Sequence, residues 1–344
     1  MNLTVEQIRA AALGVSSVTE VSGKPCFDRF SEAERGLYYN LIPDGKHPFY
    51  ERALCSAGVK LCFRTDSPML ALCAEVVKYS SRTFFSFDVT VNGTYVGSLC
   101  NFSEQTLPAA YADVVLPMGK FEKNFLLGEG EKTVSIYFPF SVRAQDVSIG
   151  LADGASFAPV KPKKRLLVYG DSITQGYDAR YASRRYGARL ADALEAEEIN
   201  KGIGGEIFRP ALAALSDEED IDYITVAYGT NDWTGIEQDC FLANAKAFYA
   251  ALSARYPEAK IFAITPIWRK NFSERKTPFG DFLEVKDRIA EAVKDLENVT
   301  LIEGFDLVPH DETLFADLSL HPRDEGFDFY AENLIRKIKA CIEN

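Results

Sequence analysis

The hydrophobic positions change their period near residue 155. Before that point they alternate with polar ones. In "FFSFDVTVNGTYVGSL", residues 84–99, Phe85, Phe87, Val89 and Val91 share one face of an extended strand. Asn92-Gly93 stands where that strand must reverse, and both residues tolerate the positive φ of a two-residue hairpin turn. "GVKLCFRTDS", "MLALCAEVVKYS" and "KTVSIYFPFS" read as further strands. Outside the N-terminal stretch, no amphipathic helical pattern separates them. Short strands divided by turn signals predict a β-sandwich or jelly roll over residues 1–160.

From "APVKPKKR" onward, short apolar runs alternate with helical stripes. Strands are expected at Leu166–Tyr169, around Ile199, and at Tyr223–Tyr228, Ile261–Thr265 and Val299–Ile302. Between them, Tyr186, Leu190 and Leu194 form one helical face, and Val285, Ile289, Val293 and Leu296 another. Repeated β-α alternation predicts a parallel sheet covered by helices on both sides, an α/β domain over residues 161–344. Ligands of such sheets bind beyond the carboxyl ends of the strands, so the residues that follow each strand matter most.

Those residues are chemically suggestive. The first strand runs into Gly170-Asp171-Ser172, the second into "NKGIGGEIF", the third into Gly229-Thr230-Asn231-Asp232-Trp233, and the fourth into "TPIWRK" with Trp268. "ADLSLHPRDEGF", with Asp317 and His321, precedes the last helix. Each has an ordinary reading: Ser172 as a helix cap, the glycines as a tight turn, Asn231 as an Asx-turn residue, His321 as a surface histidine. Together they supply a hydroxyl nucleophile, free backbone N–H groups, a side-chain amide, an imidazole and an acid, the parts for acyl transfer through a serine. The chain has three histidines. His47 lies in the β-rich half, which leaves His310 and His321 as candidate bases.

Composition narrows the reading. The 344 residues carry a formal net charge of −12, which argues against nucleic-acid binding. The basic run Lys161–Arg165 contains proline and reads as a linker. No apolar run approaches the roughly 20 residues of a membrane span, and no charged, then apolar, leader is visible. Seven cysteines with no C-x-x-C pair suggest free thiols in a reducing compartment, so a cytoplasmic location is expected. No His/Asp/Glu group has metal-ligand spacing, and no metal or cofactor is expected.

The second half resembles the SGNH, or GDSL, hydrolases. "GDSITQG" matches the family's nucleophile block, "NKGIGGE" its glycine block, "YGTND" its G-x-N-D block and "LHPRDEG" its histidine block. The resemblance implies a three-layer, flavodoxin-like α/β fold with Ser172 as nucleophile and His321 as base. Oxyanion donors would be the N–H groups of Ser172 and Gly205 and the amide of Asn231. The family places its acid three residues before the histidine; here that position is Leu318, and Asp317 stands four before. Asp317 is the favoured orienting acid, a backbone carbonyl the alternative. A β-rich domain ahead of such a hydrolase is similar to carbohydrate esterase family two. That implies removal of acetyl groups from oligosaccharides, with Trp233 and Trp268 as sugar-stacking candidates. A thioesterase or short-chain lipid esterase, and a non-catalytic carbohydrate-binding protein, are the alternatives.

Overall fold

The computed structural model describes all residues except Ser22, Pro43 and Asn344. Among the described residues, the first half forms two packed antiparallel sheets and a separate two-stranded ribbon, Ser17–Val21 with Lys24–Asp28. One packed sheet has the order Ala12–Leu13, Lys60–Thr65, Lys132–Tyr137, Ser86–Val91, Thr94–Cys100, with Ala158–Pro159 also on Lys60–Thr65. The other has the order Val142–Leu151, Met69–Lys78, Gly119–Leu126. Their inward residues, among them Leu61, Phe63, Phe87, Val89, Val134 and Ile136 against Leu70, Leu72, Val76 and Ile149, make one core. The hairpin forms where Asn92-Gly93 predicts it: Val91 pairs with Thr94, and the turn residues have φ of +50° and +80°.

The second half is a parallel sheet in the order Ala196–Asn200, Lys164–Gly170, Tyr223–Ala227, Lys260–Ile264, Val299–Ile302. Alternate residues of each strand face opposite layers. Leu166 and Val168 pack with helices Tyr186–Ala193 and Asp324–Glu343, whereas Leu167 and Tyr169 pack with Gln238–Arg255 and Val285–Val293. Numbered along the chain, the strand order is 2-1-3-4-5. Its switch point lies beside Lys164–Gly170, where α/β sheets open a crevice.

The first half holds more than strands. Helices Glu32–Asn40 and Pro48–Ala53 interrupt it, contrary to the alternating pattern expected there. Ser31 caps the first of them, accepting from Glu34 N while the Glu34 carboxylate accepts from Ser31 N. These helices leave the sandwich: Phe30, Tyr38 and Ala53 are buried in the core of the α/β half. Arg29, 1 % exposed, staples the segment in place. It donates to Cys55 O, Arg52 O and Asn200 O at 2.9, 2.9 and 2.8 Å. Burial lowers its guanidinium to about 10, still charged at neutral pH. All seven cysteines are unpaired among the described residues; Cys26, Cys55 and Cys62 are buried, Cys73, Cys100 and Cys341 are partly buried, and Cys240 is exposed. No helix of the described residues is long and apolar enough to cross a membrane.

Candidate active site

Strand Lys164–Gly170 ends in a turn that leaves no room for side chains. A Cβ on Gly170 would lie 2.0 Å from Thr174 Oγ1 and 2.9 Å from Ala227 O. Asp171 starts the next element by accepting from Ile173 N at 2.9 Å, and the single helical turn Ser172–Gln175 closes on Gly176 at φ +111°. Ser172 is thereby placed at the first position of the turn, beyond the sheet edge. Burial raises the Asp171 carboxyl to about 6, a shift opposed by its bond from Ile173 N and by the nearby His321 and Arg269.

Ser172 Oγ lies 2.8 Å from His321 Nε2, and His321 Nδ1 lies 2.7 Å from Asp317 Oδ2. The loop explains how an acid four residues ahead reaches the ring. A bridge between Phe315 and Pro322 closes its base, and Ala316 N donates to His321 O at 2.9 Å. Inside it, Leu318 takes φ +56°, the left-handed turn that absorbs the additional residue. The other oxygen of Asp317 is cradled by Ser319 N, Leu320 N and His321 N at 2.9, 2.7 and 3.1 Å. Burial would raise this carboxyl. The hydrogen bond and charge of His321, with the loop N–H groups, outweigh burial and hold it well below the usual carboxylate range.

Three further groups complete the histidine's surroundings, and sequence spacing points to none of them. Asp178, wholly buried with φ +74°, places Oδ2 3.8 Å from His321 Nδ1. Arg82, from the β half, grips both oxygens of Asp178 at 2.5 and 2.9 Å. Its guanidinium lies over the Tyr177 ring, which packs beside His321 at 5.6 Å between centroids. Asp178, Asp317 and His321 thus bring three potential metal-ligand atoms within 4.8 Å, a cluster that the sequence spacing did not anticipate. Both oxygens of Asp178 are already committed to Arg82, so this donor set fits a proton relay better than a cation.

The candidate oxyanion donors lie on adjoining loops. Gly202 packs so tightly on the serine turn that a Cβ would lie 2.4 Å from Gln175 N. Gly204 N donates to Gln175 Oε1 at 2.8 Å, and Gly205 follows at φ +82°. Asn231 Nδ2 donates to Glu206 O at 3.0 Å, which leaves its second amide hydrogen free. Neither Ser172 N nor Gly205 N has a protein acceptor among the described residues. Asp232 ties these loops together, accepting from Phe208 N at 3.0 Å and Gly229 N at 3.1 Å. Burial raises its carboxyl to about 7.

Residues 168–329, the span that contains Ser172, Gly205, Asn231, Asp317 and His321, match the model of the GDSL-like lipase/acylhydrolase family. The chain carries a GDSL-like acylhydrolase domain. No curated protein matches the sequence. Among solved structures, a salicylyl-acyltransferase from a tetracycline biosynthetic pathway aligns with a TM-score of 0.77 at 19 % identity, over 96 % of this chain and 94 % of its own. A protein described as a GDSL-like lipase from Bacteroides ovatus aligns with 0.76 at 19 % identity, over 100 % and 98 %. A family two carbohydrate esterase from Cellvibrio japonicus aligns with 0.64 at 16 % identity, over 100 % and 98 %. The likeness covers both halves, so the whole two-part architecture recurs in these proteins.

The two tryptophans of this acylhydrolase domain part company. Trp233 is fully buried in the α/β core, donates Nε1–H to Gly280 O at 2.8 Å and lies under Arg269. It has no face for a sugar, contrary to the sequence expectation. A tryptophan one residue after Asp232 points into the sheet-helix layer because the short helix Thr230–Gly235 turns that face inward. Trp268 is half-buried, stacks on His310 and packs against Phe315. It lines an open groove of about 420 Å³ with Lys270 and Glu312. His310 thereby lies away from Ser172, and its Nε2 contacts Phe305 O.

Proposed function

We propose that the protein is a serine esterase that removes acetyl groups from carbohydrates through an acyl-enzyme. The observation that carries this reading is the continuous path from Ser172 Oγ through the His321 imidazole to Asp317. His321 Nε2 takes the hydroxyl proton as Oγ attacks the ester carbonyl, and the imidazolium is stabilised by Asp317 at Nδ1. The carbonyl oxygen becomes negative and is met by Ser172 N–H, Gly205 N–H and the free Asn231 amide hydrogen. Collapse expels the sugar alcohol with the proton from His321. Water, deprotonated by the same ring, then releases acetate.

The carbohydrate part of the reading rests on different support. Trp268 exposes an aromatic edge in a groove that flanks the acid-base loop, since Lys270 N donates to Ser319 O at 2.9 Å. Two-part esterases of family two share the fold. Residues 1–160 are taken as a unit that completes the site of 161–344, because Arg82 and the Pro48–Ala53 helix reach it. A second reading has its own support in the neighbour with a TM-score of 0.77, an acyltransferase: an acceptor alcohol in place of water would resolve the same acyl-enzyme.

The test is hydrolysis of p-nitrophenyl acetate, butyrate and octanoate, then of acetylated xylan and mannan, with product analysis in the presence of an acceptor alcohol. Acetate preference and acetate release from the polysaccharides are expected. A preference for octanoate refutes the acetyl reading, and transfer in excess of hydrolysis favours the acyltransferase. Ser172→Ala retaining more than about a hundredth of kcat refutes the nucleophile.

A further inference from the structure

The glycine that would donate to the oxyanion is held from outside the acylhydrolase domain. Arg52, on the Pro48–Ala53 helix of the first half, donates from Nη1 to Gly204 O at 2.6 Å. Gly204 C=O and Gly205 N–H belong to one peptide unit. No peptide among the described residues is cis, so the two groups point to opposite sides of that unit. A guanidinium on the oxygen therefore fixes which way the Gly205 N–H points. A short bond to a charged donor also draws electron density toward the oxygen, which makes the N–H a stronger donor.

The glycine loop needs such a hold. Gly205 at φ +82° lacks a Cβ that would restrict its rotation, and its N–H has no protein acceptor among the described residues that would anchor it. On the preceding side, the Gln175 side chain holds Gly204 N at 2.8 Å. A Cβ built on Gly205 would lie 3.5 Å from Arg52 Nη1 and 3.8 Å from Phe49, so the helix stands directly over this residue. The helix is itself fixed. The buried Arg29 joins Arg52 O and Cys55 O to Asn200 O, at the start of the same loop. Arg209, the other cation beside Phe49, is already bound to Glu206 at 2.9 Å.

We infer that Arg52 is a positioning residue for catalysis: by binding the Gly204 carbonyl it sets and strengthens the Gly205 N–H donor, so the oxyanion site is completed only by the N-terminal half. The inference rests on the esterase reading above. It concerns turnover rather than substrate affinity, because the developing charge appears in the transition state and p-nitrophenyl acetate offers Arg52 no anionic group to bind.

The experiment measures kcat and KM on p-nitrophenyl acetate for full-length wild type, Ser172→Ala, Arg52→Ala and Arg52→Lys, with melting temperatures for each. A lost oxyanion donor costs about 10² to 10³ in rate, and Arg52 acts through one of three, so Arg52→Ala is expected to lose about tenfold to a hundredfold in kcat with KM unchanged. Arg52→Lys, which restores a cationic donor, should recover part of that loss. Low, non-denaturing guanidinium should restore activity to Arg52→Ala but not to Ser172→Ala. Unchanged kcat in Arg52→Ala overturns the inference, as does a higher KM at unchanged kcat or a fall in kcat that only follows a fall in folded protein. If Ser172→Ala is as active as wild type, the esterase reading itself fails. If Ser172→Ala is inactive and Arg52→Ala fully active, only the role of Arg52 is lost.

Discussion

Replacing Asp317 with asparagine isolates the acid's contribution to the relay. The carboxylate does two things at once: Oδ1 accepts three loop N–H groups, and Oδ2 faces His321 Nδ1 at 2.7 Å. An amide can keep only one of these duties with its oxygen. The three cradle bonds contribute about 1 kcal/mol each, so the amide oxygen stays in the cradle and the NH₂ turns to the imidazole. His321 must then accept at Nδ1 and carry its proton on Nε2, where it can no longer take one from Ser172. Recovering the productive tautomer places two N–H groups face to face, at a cost of about 3 to 4 kcal/mol. At about 1.4 kcal/mol per tenfold, the expected loss in kcat is about 10² to 10³. Asp178 does not rescue it. At 3.8 Å from Nδ1 its charge would favour an imidazolium, but Arg82 neutralises that same carboxylate. The assay is kcat on p-nitrophenyl acetate between pH 7 and 9, beside a thermal melt. A folded Asp317→Asn enzyme within tenfold of wild type would refute the reasoning and leave a Ser172–His321 dyad.

Two further outcomes test the packing that supports the site. Trp233→Ala should destabilise the fold by about 3 to 5 kcal/mol, as large-to-small core changes do, and lower the melting temperature; a changed sugar preference at unchanged stability would contradict its buried position. Asp232 and Asp171, raised by burial to about 7 and about 6, hold their protons better folded than unfolded. Their contribution to stability is fully present below about pH 4 and is lost as pH rises through about 6 to 7. Melting temperature should fall between pH 5 and pH 8, and Asp232→Asn, though less stable because it keeps only one of two N–H bonds, should show a shallower fall. An unaltered slope in that variant would show that Asp232 is not the titrating group.

Local pattern alone specified much of this protein. Alternation predicted the strands around Phe87 and Val134, Asn92-Gly93 predicted the turn, and the helical stripes from Tyr186 and Val285 predicted two covering helices. Ser172, the 202–205 glycine cluster, Asn231 and His321 could be singled out as candidates because each follows a strand of one parallel sheet, whereas the roles expected of them, Gly205 as an oxyanion donor among them, came with the family resemblance. What depends on distance in the chain was not legible. The burial of Trp233 and the Arg82–Asp178 pair beside the ring need the position of atoms far away in sequence. The left-handed Leu318 that lets Asp317 reach the ring is local but carries no residue-type sign, because leucine rarely takes a positive φ. Helices Glu32–Asn40 and Pro48–Ala53 carry the same lesson: their buried side chains meet a core built mainly from residues beyond 160, so alternation within the first half could not reveal them. Hydrophobic period is a property of neighbours along the chain. A guanidinium 152 residues from the carbonyl it binds is decided only when the two halves pack.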